Sequence, residues 1–106
     1  MSGLLSLDIE MGDGGTTVRV AGEIDMATAP SLQECLDSVT GDVVVDLAGV
    51  PFIDSTGITV LIRDHKRRHA AGAMLTIRGS SPMALRAFEV TGVDRLLDLD
   101  GDSQAS

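Results

Sequence analysis

Asp54-Ser55-Thr56-Gly57 puts a carboxylate, two hydroxyls and a glycine into four consecutive residues, just ahead of a long helical pattern. The first N–H groups of a helix have no partners inside it, so a carboxylate or hydroxyl at the start satisfies them. On that reading Asp54 or Ser55 is a cap contributing about 1 kcal/mol. The same position exposes a hydroxyl. A phosphate added there would meet free N–H groups and the positive end of the helix dipole. Nucleophilic catalysis is a poorer fit, because a serine nucleophile needs a base and an oxyanion hole. The chain's two histidines, His65 and His69, fall roughly three and four turns further along the helix, ~15–20 Å away at 1.5 Å per residue. A Gly-x-Ser-x-Gly elbow and a Walker loop are both absent from the sequence. Catalytic residues are therefore not expected, and the chain does not read as an enzyme.

His65 and His69 stand at i and i+4, a spacing that can chelate a metal, but no carboxylate completes a motif there. Both fall on the inward stripe of the helix, so packed histidines are the simpler reading. Cys35 is the sole cysteine, which excludes an intrachain disulfide and a paired-cysteine zinc site. It also fits a reducing cytoplasm. Neither a metal nor a cofactor is expected. Arg63, Lys66, Arg67 and Arg68 read as the solvated face of the same helix.

The elements that must position this segment follow from periodicity. Leu5, Leu7 and Ile9 alternate with polar residues, and Thr16 to Gly22 carries Val18 and Val20 inward with Arg19 outward. The cluster from Gly12 to Gly15 joins the two as an antiparallel hairpin. Thr28 reads as the N-cap of a first helix with Pro30 in its first turn, and Leu32, Cys35, Leu36 and Val39 form one face before Gly41 stops it. Val43 to Leu47 is a nearly continuous apolar run, the pattern of a strand covered on both faces. In the helix from Asp54 to Gly72, the residues Ile58, Leu61, Ile62, His65 and His69 share about 100° of the wheel. With Ile58 at the origin, Thr59, Arg63, Thr56 and Val60 fall near 100°, 140°, 160° and 200°, on the outer face. Met74, Leu75 and Ile77 form a strand. Ser81-Pro82 opens a third helix with Leu85 and Phe88 on its apolar side and Gly92 after it. Leu96, Leu97 and Leu99 make a last strand. Strands alternating with helices predict parallel pairs and right-handed crossovers. The expected fold is α/β: one domain over residues 1–99, with a mixed sheet, an N-terminal hairpin and β-α repeats, then a short polar tail over 100–106.

A chain of 106 residues supports one core and needs no staple. The formal net charge is −8, which repels phosphate backbones and argues against nucleic-acid binding. Residues 1–54 hold ten acidic groups against Arg19 alone, whereas residues 55–106 hold six acidic and seven basic groups. Such asymmetry can mark a partner face. The first residues lack the basic start of a signal peptide, and no apolar run has membrane-spanning length. A soluble cytoplasmic protein without a membrane partner is expected.

Three segments, Gly22-Glu23-Ile24-Asp25, Asp46-Leu47 and Phe52-Ile53-Asp54-Ser55-Thr56-Gly57-Ile58, resemble the signature of the STAS domain. This is the fold of sulfate transporters and anti-sigma factor antagonists, and the resemblance runs from Leu4 to about Leu99. It is most similar to the free-standing antagonists of bacterial stress and sporulation circuits. That likeness implies a partner, an anti-sigma factor with serine kinase activity, which phosphorylates the motif serine, here Ser55. The expected partner surface is Asp25, Asp54, Ser55, Thr56 and Gly57 of the matching segments, joined by Thr59, Val60 and Arg63, which the wheel puts with Thr56 on the outer face at the exposed end of the helix; a weak homodimer stays open. Two other STAS-type roles stay open: a binding module without a phosphoswitch, such as a stress-complex or lipid-transporter subunit, and a nucleotide-binding domain. The lack of a glycine-rich phosphate loop counts against the second.

Overall fold

The computed structural model describes residues 5–12, 14–79, 82, 86, 88 and 98–100. Alternating patterns give β1 (Ser6–Gly12) and β2 (Gly15–Ala21), paired antiparallel from Ser6↔Ala21 to Gly12↔Gly15. Next come α1 (Ala29–Asp37), β3 (Val43–Gly49), α2 (Ser55–Ala70), β4 (Leu75–Arg78) and β5 (Asp98–Asp100). The sheet order is β1-β2-β3-β4-β5, with every pair after the hairpin parallel. The expected mixed α/β architecture is the one observed.

One face of the sheet builds the core. Val18, Val45 and Ile77 align across β2, β3 and β4, and Val43 aligns with Leu75. All five are buried, in one cluster with Leu32 and Leu36 of α1 and Ile58 and Leu61 of α2. Phe88 joins that cluster, and Pro82, Arg86 and Phe88 are helical. The expected third-helix positions Ser81, Leu85 and Gly92 lie outside the described residues, as do Leu96 and Leu97. Leu99 sits in β5, and Asp100 belongs to that strand rather than to the tail.

The other sheet face is less covered among the described residues, which corrects the expectation for β3. Val44 and Asp46 are only half-buried while Val43, Val45 and Leu47 are buried. Asp46 lies near Arg19 at 3.9 Å and Arg78 at 3.6 Å, and Arg19 also pairs with Glu10 at 2.9 Å. A run of β-branched residues fits a two-sided or a one-sided strand equally well, because periodicity is silent when both alternating positions are apolar.

The first helix ends at Asp37, earlier than Gly41. Ser38 is its C-cap, and Gly41 takes φ +80° in the turn that follows. Leu32, Leu36 and Val39 are buried as expected, and Cys35 is half-buried against the core. Burial raises the Cys35 thiol above its usual pKa. Because the thiolate is the nucleophile, alkylation by iodoacetamide at neutral pH should run slower in the native chain than in urea. Equal rates would put the thiol at the surface.

The second helix is rotated from the expected orientation. Its buried residues are Gly57, Ile58, Val60, Leu61, Asp64 and Arg68. At the ideal 100° per residue their centre lies about 85° from that of the expected stripe. Ile62 and His65 are half-buried and His69 is exposed. Val60, expected on the outer face, is 7% exposed and belongs to the core. The cause is α1, which packs beside α2. The buried arc must face both the sheet and the neighbouring helix, so its centre falls between them.

Arg68 also leaves the solvated face assigned to it. It is 2% exposed and donates from Nε to Asp64 Oδ2 (2.6 Å), from Nη1 to the Gly41 carbonyl (2.7 Å) and from Nη2 to the Leu36 carbonyl (2.8 Å). Arg67 Nη2 bonds the other Asp64 oxygen and reaches the Leu36 carbonyl at 3.2 Å. The last turn of α1 contains no basic residue of its own. Two guanidinium groups from α2 therefore supply the positive charge that a helix C-terminus favours.

Candidate functional site

Two loops meet at the C-terminal end of β2 and β3. The regular β2–β3 register shifts between Arg19 and Ala21, and pairing resumes as an isolated parallel bridge between Ile24 and Ile53. The Ile24 N–H donates to the Phe52 carbonyl and the Asp54 N–H to the Ile24 carbonyl, both at 3.0 Å. Ile24 and Ile53 are buried beneath this junction. The Gly22–Asp25 segment is thereby laid alongside the segment that starts α2.

Asp54 is the N-cap of α2. Its Oδ1 accepts from the N–H of Thr56 (2.9 Å) and of Gly57 (3.2 Å). Of the two candidates for the cap, the carboxylate takes the role. Ser55 is the first helical residue and is exposed, and its hydroxyl bonds no other described residue. Its carbonyl accepts from Thr59 Oγ1 at 2.8 Å. One expectation changes with this geometry. Asp54 already occupies the Thr56 and Gly57 N–H groups, so a phosphate on Ser55 would meet the helix dipole without those two donors. It would instead stand beside a carboxylate.

Asp25 has a comparable local task. Its Oδ1 accepts from the N–H of Ala27 (2.9 Å) and Thr28 (3.1 Å). Thr28 is the N-cap of α1 by position, yet its side chain makes no cap bond to the helix. Its hydroxyl donates to the Glu23 carbonyl (2.8 Å) and accepts the Asp25 N–H (2.9 Å). Asp25 and Thr28 together hold the loop in place.

The expected site residues divide by depth. Ser55, Thr59 and Arg63 are exposed along one side of α2, and Asp25, Asp54 and Thr56 are half-buried at its start. Gly57 and Val60 are buried and support the surface from below. Sequence reasoning missed Met26 and Phe52. They are 75% and 42% exposed on the two adjoining loops. The available signal was an apolar residue within a signature segment (Phe52) or directly after one (Met26), at a position that no strand or helix period buries. His65 and His69 stack with ring centroids 6.2 Å apart. Among the described residues there is no group of three or more potential metal ligands. Nor is any described helix long and apolar enough to cross a membrane.

Residues 6–105 match the family model of the STAS domain. The chain belongs to that family. Two relatives are similar to it over nearly their whole length. The anti-sigma-B factor antagonist of Bacillus subtilis (strain 168) is 29% identical, covering 94% of both chains. The anti-sigma-B factor antagonist of Staphylococcus aureus (strain NCTC 8325 / PS 47) is 32% identical, covering 91% of this chain and 93% of that one. Among solved structures, an anti-sigma factor antagonist from Mycobacterium paratuberculosis superposes with a TM-score of 0.82 at 29% identity, over 91% of this chain and 85% of that one. These relatives are named as antagonists of a regulator, not as catalysts. In this STAS domain the Ile24–Ile53 bridge and the Asp54 cap are the features that present Ser55.

Proposed function

We propose that this STAS domain is an anti-sigma factor antagonist, switched by phosphorylation of Ser55. Unphosphorylated, it binds an anti-sigma factor with serine kinase activity in the bacterial cytoplasm, through the surface around Ser55, and so releases a sigma factor. Phosphorylated, it lets go. The observation that supports this reading is the division of labour at the start of α2: Asp54 caps the helix and leaves the Ser55 hydroxyl exposed and unbonded to described residues. The names of its relatives support the antagonist role.

The switch acts locally. A phosphate adds about −1.5 to −2 charges and three acceptor oxygens. It lands next to Asp54 in the chain, on an exposed side chain whose hydroxyl bonds no other described residue. The domain keeps its fold, and the partner face changes in bulk and charge.

Incubation with the purified cognate kinase and labelled ATP is expected to modify wild type and Thr56→Ala but not Ser55→Ala. Phosphate mapped to Thr56 in the native protein would overturn the assignment. Ser55→Asp carries one charge and lacks the third oxygen, so it should weaken partner binding by about 1–3 kcal/mol and leave the melting temperature nearly unchanged.

A further inference from the structure

A groove of about 270 Å³ runs between α1 and α2 next to the Ser55 surface. Its floor is Ala29 and Val60, 1% and 7% exposed, and Met26 stands at its edge, 75% exposed. Thr56, which follows Ser55, lines one end, and Arg63 lines the other. The volume falls below the roughly 300–1,000 Å³ of small-molecule sites. It suits a single large side chain.

The charge around it is specific. On α2, Arg67 and Arg68 are paired with Asp64, whereas Arg63 forms no ion pair with any described residue. It is an exposed cation beside an apolar groove, on a chain of net charge −8. A partner that approaches α2 gains by placing a carboxylate there, and complementary charge of this kind sets register and on-rate. Methionine at the edge adds an adaptable apolar wall. An apolar anchor in a pocket ringed by polar contacts is the usual arrangement of the residues that dominate a protein interface.

We propose that the α1–α2 groove receives one large apolar side chain of the anti-sigma factor, and that a carboxylate adjacent to that side chain pairs with Arg63. This inference rests on the antagonist reading above and specifies how the partner is gripped. It also explains how a modification at Ser55 is felt, because Thr56 connects the phosphoacceptor to the groove.

The test is a calorimetric titration of the purified anti-sigma factor kinase from the same genome into wild type, Met26→Ala, Arg63→Glu, Lys66→Glu and Ser55→Asp. Met26 and Arg63 are exposed, so both variants should melt as wild type does. Each should bind about tenfold or more weakly. Lys66→Glu removes an exposed cation of the same helix outside the groove and should lose less than about threefold. A reversing Asp or Glu→Arg change in the kinase should restore binding to Arg63→Glu. If Met26→Ala and Arg63→Glu bind normally while Ser55→Asp does not, the groove is refuted and the antagonist reading stands. Equal losses for Arg63→Glu and Lys66→Glu would also refute it, since a diffuse field would then explain both. If wild type does not bind the kinase, both proposals fall.

Discussion

Asp64→Ala should lower the unfolding free energy by about 3–5 kcal/mol, the cost of removing one partner from a buried ion pair. Asp64 is fully buried and takes both Arg67 and Arg68. Without it, the Arg68 guanidinium stays 2% exposed with only the Leu36 and Gly41 carbonyls for company. Arg68→Ala should cost a similar amount, leaving the Asp64 carboxylate in the core with Arg67 alone. For a domain of this size each kcal/mol shifts Tm by about 4–8 °C, so either variant should melt at least about 12 °C below wild type. Lys66→Ala, exposed on the same helix, should stay within about 0.5 kcal/mol. The double variant Asp64→Leu/Arg68→Met should be more stable than either alanine variant, because no unpaired charge remains. Urea denaturation measures all four. A loss under about 1 kcal/mol for Asp64→Ala would show that the cluster is not what ties the C-terminal end of α2 to α1.

Gly57 offers a test in which two principles predict opposite signs. It lies in the first turn of α2, where helix propensity alone favours alanine by about 1 kcal/mol. A Cβ built on Gly57 would collide with Ile24 Cγ2 and lie 2.8 Å from Ile53 Cγ1. Those isoleucines form the bridge that joins the two loops. Overpacking of this kind costs about 1–3 kcal/mol, so Gly57→Ala should destabilise despite its better propensity. Gly57→Val should cost on the order of 3 kcal/mol or more. Relief of the clash must push α2 away from the loops, so phosphorylation of Ser55 in Gly57→Ala should slow even below the melting transition. A thermal melt and a kinase assay read the two effects separately. Gly57→Ala that melts above wild type would mean the helix start has slack and the glycine serves no packing role.

Much of this protein could be read from residue order. The alternation of Val18 and Val20 with Arg19, the glycines after the helices and the acidic cap before the longest apolar periodicity are local signals, and each reports the local structure it causes. They suffice for the element order from β1 to β4, the hairpin and the position of Ser55 at a helix start. They also leave the choice between Asp54 and Ser55 as cap open. Either side chain can reach the first-turn N–H groups, and only the backbone geometry at Asp54 decides between them.

What the tertiary structure alone decided concerns contacts between segments far apart in the chain. The orientation of α2 depends on α1 as well as on the sheet, so Val60 entered the core although it stands opposite the most apolar stripe. Arg68 is buried because its partners are backbone carbonyls at Leu36 and Gly41, separated from it by 32 and 27 residues. A carbonyl has the same chemistry at every residue and leaves no mark in the sequence. The amino-acid order therefore determined which local elements form and that Ser55 stands at a helix start. Packing determined which side of α2 is left exposed, because burial is a property of the neighbours that surround a residue and not of the residue itself.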